Sequence, residues 1–433
     1  MRRLAAGLLG LVLLLGTVAV WTVPGIDYAL LRVNSHTEGG NYSDFDQLWV
    51  ATRAVLFDHA NPYTLEIRDR IQVPFYGHVL RADDPHRPKL LQGFYYPLYI
   101  VWLVWPLALL PLPVAVLVFQ WCLAALLVAG MWAYLTLLGW PAGPRYRLAA
   151  AAGILLTLGA QAVVHFAQPT GLFFGLLLGA FYAASRDRPR LVGVLLALTL
   201  IKPQLALPPA LGLMLWSWQQ PTRRQFVGAA LATGAALLGS SLLLFPGWPL
   251  AWIGSFATYA ATGATPATGL PLDAWIGGLL RVGLALLVLP LWWAVRRLPW
   301  RDRRVPAALA ITLVLTLAVQ QPWFDYNLVL LYPALLTLPA ALQRSQLTIP
   351  APAPLLSRIA LATFSTSWLV ALGLLVVYLL HWLPLTASGW PSYVVLSTLV
   401  HWLVSNAIVL TALCACLAWL PALLRPAPAA NRV

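Results

Sequence analysis

The sequence predicts an all-α, polytopic integral membrane protein, and three observations carry that prediction. Hydrophobic residues make up 61% of the chain and charged residues 9%, against about a quarter charged in an average soluble domain. Long apolar stretches recur along the whole chain, parted by short breaks that hold most of its Arg, Pro and Gly. These stretches lack the period-two alternation of membrane strands, and in lipid a spanning segment must satisfy its own backbone groups, as a helix does. The expectation is about 12 transmembrane helices forming a single transmembrane domain over residues 1–433, with no room for a separate soluble domain.

The elements follow in order. Residues 1–23 begin with Arg2 and Arg3 and continue as an apolar run without a small-x-small cleavage pattern, so they are read as the first membrane helix. Placing that basic start in the cytoplasm puts residues 24–93 outside, as a long first extracytoplasmic loop. The span 95–139 contains Pro97, Pro106, Pro111 and Pro113 and is too long for one helix. It is read as a half-membrane or re-entrant piece over 95–111 followed by one crossing. Helices are then expected near 147–165, 169–184, 190–201, 203–218, 224–245, 272–296, 303–320, 325–342, 354–382 and 391–423. This order puts every Arg cluster on the inside, with both termini cytoplasmic in the plasma (cytoplasmic) membrane. The net charge of +14 therefore reflects orientation, and no nucleic-acid partner is expected. Cys122, Cys414 and Cys416 lie in apolar stretches and are read as core residues without redox or metal function.

Polar chemistry concentrates on one face. Of thirteen acidic residues, nine fall in the first loop: Asp27, Glu38, Asp44, Asp46, Asp58, Glu66, Asp69, Asp83 and Asp84. The same topology puts Asp273, Asp325, Lys89 and Lys202 on the outer side, where a site is expected. Within the loop, Ser43 to Trp49 starts an amphipathic helix with Phe45, Leu48, Trp49 and Leu56 on one side, suited to a membrane surface. It ends at Asn61-Pro62-Tyr63, because a residue before proline avoids helical backbone. Its carboxylates have two readings: acids in a first turn that offset the helix dipole, or a general base that takes a proton from a sugar or lipid hydroxyl. Helical spacing puts Asp44 and Asp46 on different sides, so only one can face a given cavity.

Lys202 and Arg281 also have two readings. A cation at such depth meets a phosphate on a lipid-linked substrate, or else Lys202 snorkels to the interface and Arg281 pairs with Asp273 or a carbonyl. Gln168-Pro169-Thr170 and the run Gln320 to Asn327 form two further outer breaks, whose amides suit either sugar hydroxyls or plain helix ends. Neither a phosphate-binding Gly-rich loop nor a metal-ligand cluster is found. A transporter or flippase for a lipid-linked or polar solute is the alternative function, but carriers tend to hold their carboxylates within the spans.

In their order, these segments resemble the polytopic glycosyltransferases of family 87, within the GT-C superfamily. Asp44-Phe45 with Trp49, Ala51, Ala54 and Asn61-Pro62-Tyr63 resembles the first-loop pattern. Phe94-Tyr95-Tyr96-Pro97 resembles a Tyr-Pro-Pro segment, Gln168 a Gly-Gln-Asn turn, Lys202-Pro203 the following Lys, and Asp325-Tyr326-Asn327 a late outer motif. The resemblance extends over residues 40–345, with Leu98, Ala167 and Pro169 departing from it. It implies inverting transfer of one sugar, mannose in members that use polyprenyl-phosphate-mannose, to a glycolipid or glycan acceptor. It further implies Asp44 as the base and Lys202 near the donor phosphate. Asp46, Arg53, Tyr63, Tyr96, Gln168, Arg281, Asp325 and Asn327 complete the expected substrate-binding set. No metal or organic cofactor is expected; membrane lipids are partners and the donor lipid is a substrate.

Overall fold

A computed structural model describes residues 43–80, 92–140, 143–218, 224–261, 282–283, 285–299, 302, 304–319 and 325–334. Their secondary structure is helical, without strands. Arg281, Asp273, the first helix, the helices at 354–382 and 391–423 and both termini lie outside these residues.

Helix α1 (Phe45–Leu56) starts where the Ser43 hydroxyl accepts the Phe45 amide at 3.2 Å. Helix α2 (Leu65–Tyr76) starts at an extended Thr64, whose side chain accepts from Ile67, and stops at Gly77 in the left-handed region, as helix C-termini commonly do. The amphipathic pattern predicts a helix laid on a surface. Instead α1 is embedded, and its polar Asp46, Gln47 and Thr52 are buried along with its apolar side. The reason is tertiary: the chain that follows packs on α1 from further directions, which the spacing within twelve residues cannot register.

A 3₁₀ turn (Leu98–Ile100) leads into α3 (Val101–Ala108). Pro111 then caps the start of α4 (Leu112–Leu137), with Pro113 in its first turn, where a proline is tolerated. This matches the expected short piece followed by one long helix. At about 1.5 Å per residue, the 26 residues of α4 exceed the roughly 30 Å apolar thickness of a bilayer. Cys122 on α4 is exposed and not in the expected core, because it lies beside the helix's buried stripe at Ala115, Phe119, Leu123 and Leu127 and not on it.

The expected helix 147–165 is two helices. The first, α5 (Pro144–Ala152), continues as a 3₁₀ turn and breaks at Thr157, whose backbone is extended. The second, α6 (Leu158–His165), leaves at an angle of 70° to the first. Apolar composition runs through the bend, so hydropathy cannot reveal it. Helices α7 (Thr170–Ser185), α8 (Pro189–Thr199), α9 (Pro203–Trp218) and α10 (Gln225–Leu244) follow as expected. Helix α11 (Trp248–Ala261) occupies a stretch to which the sequence reading assigns no helix. The described chain continues with α12 (Val288–Val295), α13 (Arg304–Val319) and a 3₁₀ turn (Asp325–Leu331) where a longer α-helix is expected.

Among the described residues, α4 and Arg224–Leu244 are long and apolar enough to cross a membrane, and the bent pair α5–α6 makes a third such segment. Only 6% of the Arg224–Leu244 window is buried within the protein, leaving its apolar surface for lipid. Glycines set the close helix contacts. A Cβ at Gly175 would stand 2.9 Å from the Leu126 side chain, and one at Gly171 would stand 2.9 Å from Leu123, both on α4. Gly193 on α8 leaves room for the α10 backbone at Phe226, and small residues of this kind are what close packing in membranes uses. Gly159 on α6 does the same for the 3₁₀ turn, since a Cβ there would meet the Val329 amide at 2.6 Å. That approach brings Asn327 toward the start of α7.

Candidate active site

Three helix breaks, at 166–169, 200–202 and 325–327, meet around the N-terminus of α1. The Asp44 amide donates to the Phe166 carbonyl at 2.8 Å, which fastens α1 to the α6–α7 turn. That turn reverses through Ala167, at a φ of 48°, and the Gln168 amide donates back to Val163 at 2.8 Å. Its side chain is thereby directed at Asp44. Lys202 stands where α8 gives way to α9, its carbonyl accepting from the Leu205 and Ala206 amides.

The side chains form one connected network. Gln168 Nε2 donates to Asp44 Oδ2 at 2.6 Å, and Gln92 Nε2 donates to Asp44 Oδ1 at 3.3 Å. Lys202 Nζ donates to Gln168 Oε1 and to Thr170 Oγ1, both at 2.7 Å, and lies 5.0 Å from the centre of the Tyr326 ring. Thr170 in turn donates to Asn327 Oδ1 at 3.2 Å. Tyr96 reaches Gln168 Oε1 at 3.5 Å. A carboxylate only accepts and an ammonium only donates, so the Gln168 amide has one orientation that serves both neighbours.

Gln168, Lys202, Thr170 and Asn327 are buried, whereas Asp44, Gln92, Tyr96 and Tyr326 are half-buried, so a substrate meets the network from their side and Asp44 is the ionisable carboxylate there. Burial pushes its pKa up from 3.8 to about 6, against the Gln168 hydrogen bond, the Lys202 charge and the Gln92 hydrogen bond, which pull it down. A carboxylate poised there is ionised at neutral pH yet more basic than an ordinary one, which suits proton removal.

The structure thus brings together Asp44, Gln168, Lys202 and Tyr96 of the expected set, with Asn327 joined through Thr170. Tyr63 stands one layer out: its hydroxyl donates to the Tyr96 carbonyl at 2.8 Å, and its ring packs on Phe94 at 5.2 Å. Asp46 is fully buried, so of the two acids Asp44 is the one open to a ligand. Arg53 is drawn elsewhere. It donates to the Ala108 carbonyl at 2.8 Å and stacks over Trp49 and Phe57, fastening α1 to the end of α3. Asp325 opens the 3₁₀ turn, and Arg281 is outside the described residues. Sequence reasoning did not single out Gln92, Thr170 or Tyr326 as site residues. Thr170 and Tyr326 each sit within two positions of a residue it did single out; Gln92 gives no local signal.

Fold and site together define a helical membrane protein whose polar machinery lies where three helix breaks meet, around a carboxylate whose pKa is raised to about 6. Glycosyltransferase family 87 matches over residues 94–322, more than half of the chain, and the protein belongs to that family of membrane glycosyltransferases. The matched span contains Tyr96, Gln168, Thr170 and Lys202, while Asp44 and Asn327 flank it and join it through the hydrogen bonds above. No curated protein and no solved structure matches the chain.

Proposed function

We propose that this glycosyltransferase moves a single sugar, mannose, from a polyprenyl-phosphate donor to a lipid or glycan acceptor at the extracytoplasmic face of the cytoplasmic membrane. The configuration at the anomeric carbon is inverted, and no metal or organic cofactor takes part. The acceptor hydroxyl gives its proton to the Asp44 carboxylate as its oxygen forms the new bond to the anomeric carbon. The bond from that carbon to the phosphate oxygen breaks on the opposite side, and polyprenyl phosphate leaves with the electron pair. Lys202 holds positive charge on the side where the phosphate gains negative charge; Tyr96 stands beside Gln168 with Tyr63 behind it, and Asn327 supports Thr170 next to Lys202.

The observation that supports this reading most is the half-buried Asp44 carboxylate, with its pKa near 6, joined through Gln168 to Lys202. The reading is tested with purified protein in detergent, radiolabelled polyprenyl-phosphate-mannose and a membrane lipid extract, comparing wild type with Asp44→Asn and Asp46→Asn. Label should enter a new glycolipid with wild type and not with Asp44→Asn, which keeps the shape but cannot take the proton. Normal turnover by Asp44→Asn would remove Asp44 as the base, and the absence of transfer from mannose, with transfer from a glucose or arabinose donor, would replace the sugar.

A further inference from the structure

We infer that Gln168 is a positioning residue for the base: it couples the Lys202 ammonium to the Asp44 carboxylate and does not read the sugar. The inference rests on the reading of Asp44 as the base. Its warrant is that the amide is already committed. Gln168 is buried; its oxygen accepts from Lys202 at 2.7 Å and from Tyr96 at 3.5 Å, and its nitrogen donates to Asp44 at 2.6 Å. A sugar hydroxyl would have to displace a charge-assisted hydrogen bond to engage that oxygen, and such bonds are about twice as strong as neutral ones.

The chain of partners also fixes direction. Lys202 cannot accept, so it forces the Gln168 oxygen toward itself and the NH₂ toward Asp44. Thr170 steadies Lys202 from the far side and is itself held by Asn327. Among the described residues, the charge that acts on Asp44 is that of Lys202, from the α8–α9 break. Gln92 contacts the carboxylate from the segment before Tyr96, Tyr96 reaches it through Gln168, and Asp46 follows it on α1.

The test is the pH dependence of kcat/KM for Gln168→Leu, Gln168→Glu and Thr170→Val, with polyprenyl-phosphate-mannose and the lipid extract as probes. An essential base gives an acid limb in this profile that reports the free enzyme. Losing the hydrogen bond from Gln168 makes the carboxylate harder to ionise, so the limb should move up by about one pH unit, a roughly fivefold loss at pH 6 that approaches about tenfold at lower pH. The basic limb should stay largely in place, since it belongs to Lys202, whose pKa burial lowers from 10.5 to about 7 against the Asp44 charge. Gln168→Glu keeps the shape and the Lys202 contact while setting a second carboxylate against Asp44, so it moves the limb in the same direction and decides the matter where Gln168→Leu does not fold. Thr170→Val, which leaves the Asp44 contact in place, should move it less.

An unmoved limb with a raised KM for donor or acceptor would overturn the inference and make Gln168 a substrate-reading residue. Loss of turnover at every pH in folded Gln168→Glu would overturn it too, since a positioning role shifts the acid limb and leaves activity above it. Asp44→Asn separates the two levels of argument. If that variant is inactive and the Gln168 limb is unmoved, only this inference fails; if it turns over normally, the assignment of the base fails first.

Discussion

Replacing Asp44 by Asn should stabilise the protein at neutral pH while removing its activity. Its pKa in the folded protein is about 6, against 3.8 for the ordinary group. Between those values the native state holds a proton that the unfolded chain has lost, and this favours the native state at low pH. As pH rises through 6 the advantage disappears, and keeping the carboxylate ionised in its half-buried place becomes a cost. About two units at about 1.4 kcal/mol each give about 3 kcal/mol as the upper value, and partial exposure of the group reduces it. Asparagine resembles the protonated acid in shape and charge, so it escapes that cost. It pays another: Gln168 and Gln92 both donate to Asp44, and an amide offers them one oxygen instead of two, a loss of about 1 kcal/mol.

The balance predicts a crossover. At pH 8 Asp44→Asn should be more stable than wild type by about 1 kcal/mol. Near pH 4, where wild type is also close to neutral at this site, it should be less stable by a similar amount. Thermal unfolding in detergent, followed by tryptophan fluorescence at several values from pH 4 to 8, reads the difference in apparent Tm. A variant that is less stable by the same margin at every pH would refute the reasoning, because it would mean that the ionised carboxylate is a net support of the fold.

Two further substitutions probe the scaffold behind the site. Ala167 lies at a φ of 48°, so Ala167→Val, which is β-branched, should cost about 2 kcal/mol or more and lower kcat/KM by shifting Gln168, whereas Ala167→Gly should stay within about 1 kcal/mol of wild type; the comparison of Tm and activity across the three residues checks this. A Cβ on Gly212 would overlap the Trp292 indole nitrogen, which donates to Thr312 at 2.8 Å, so Gly212→Ala should destabilise by about 2 to 4 kcal/mol. Its Tm should fall with little change in kcat/KM, since Gly212 is no member of the network around Asp44.

The parts of the site that were legible in sequence are those that disturb an apolar pattern. Lys202 and Gln168 stand out because a cation or an amide at a helix break must find a partner, and the expected topology already put their breaks on one face. Asn327 and Tyr96 gained their place from the resemblance to the glycosyltransferase family. The opposite held for Thr170, whose hydroxyl is small enough to pass as a helix start, and for Gln92, a single amide in a long polar loop. The bend at Thr157 was hidden because both arms are apolar. The burial of α1 was hidden because amphipathic spacing reports where apolar groups sit, and not whether the polar groups opposite, Asp46, Gln47 and Thr52, will be covered by distant segments.

Why a neutral amide stands between Lys202 and Asp44 follows from what each charge has to do. In direct contact, a cation within about 4–6 Å lowers a carboxylate pKa by 1 to 3 units, which would leave Asp44 a weak base, and a lysine neutralised by its own ion pair would have little charge left for a phosphate. Complete separation has its own cost, since a buried ammonium and a half-buried carboxylate without hydrogen bonds are each expensive to keep. Gln168 resolves the conflict by giving both groups a hydrogen bond while holding their charges apart by the length of an amide. This requires the α6–α7 turn to lie between α1 and the α8–α9 break, and that placement depends on the close approaches at Gly159 and Gly171, where a Cβ would meet the Val329 backbone or the Val163 and Leu123 side chains. The proton affinity of the base is therefore set in part by glycines that touch neither charge.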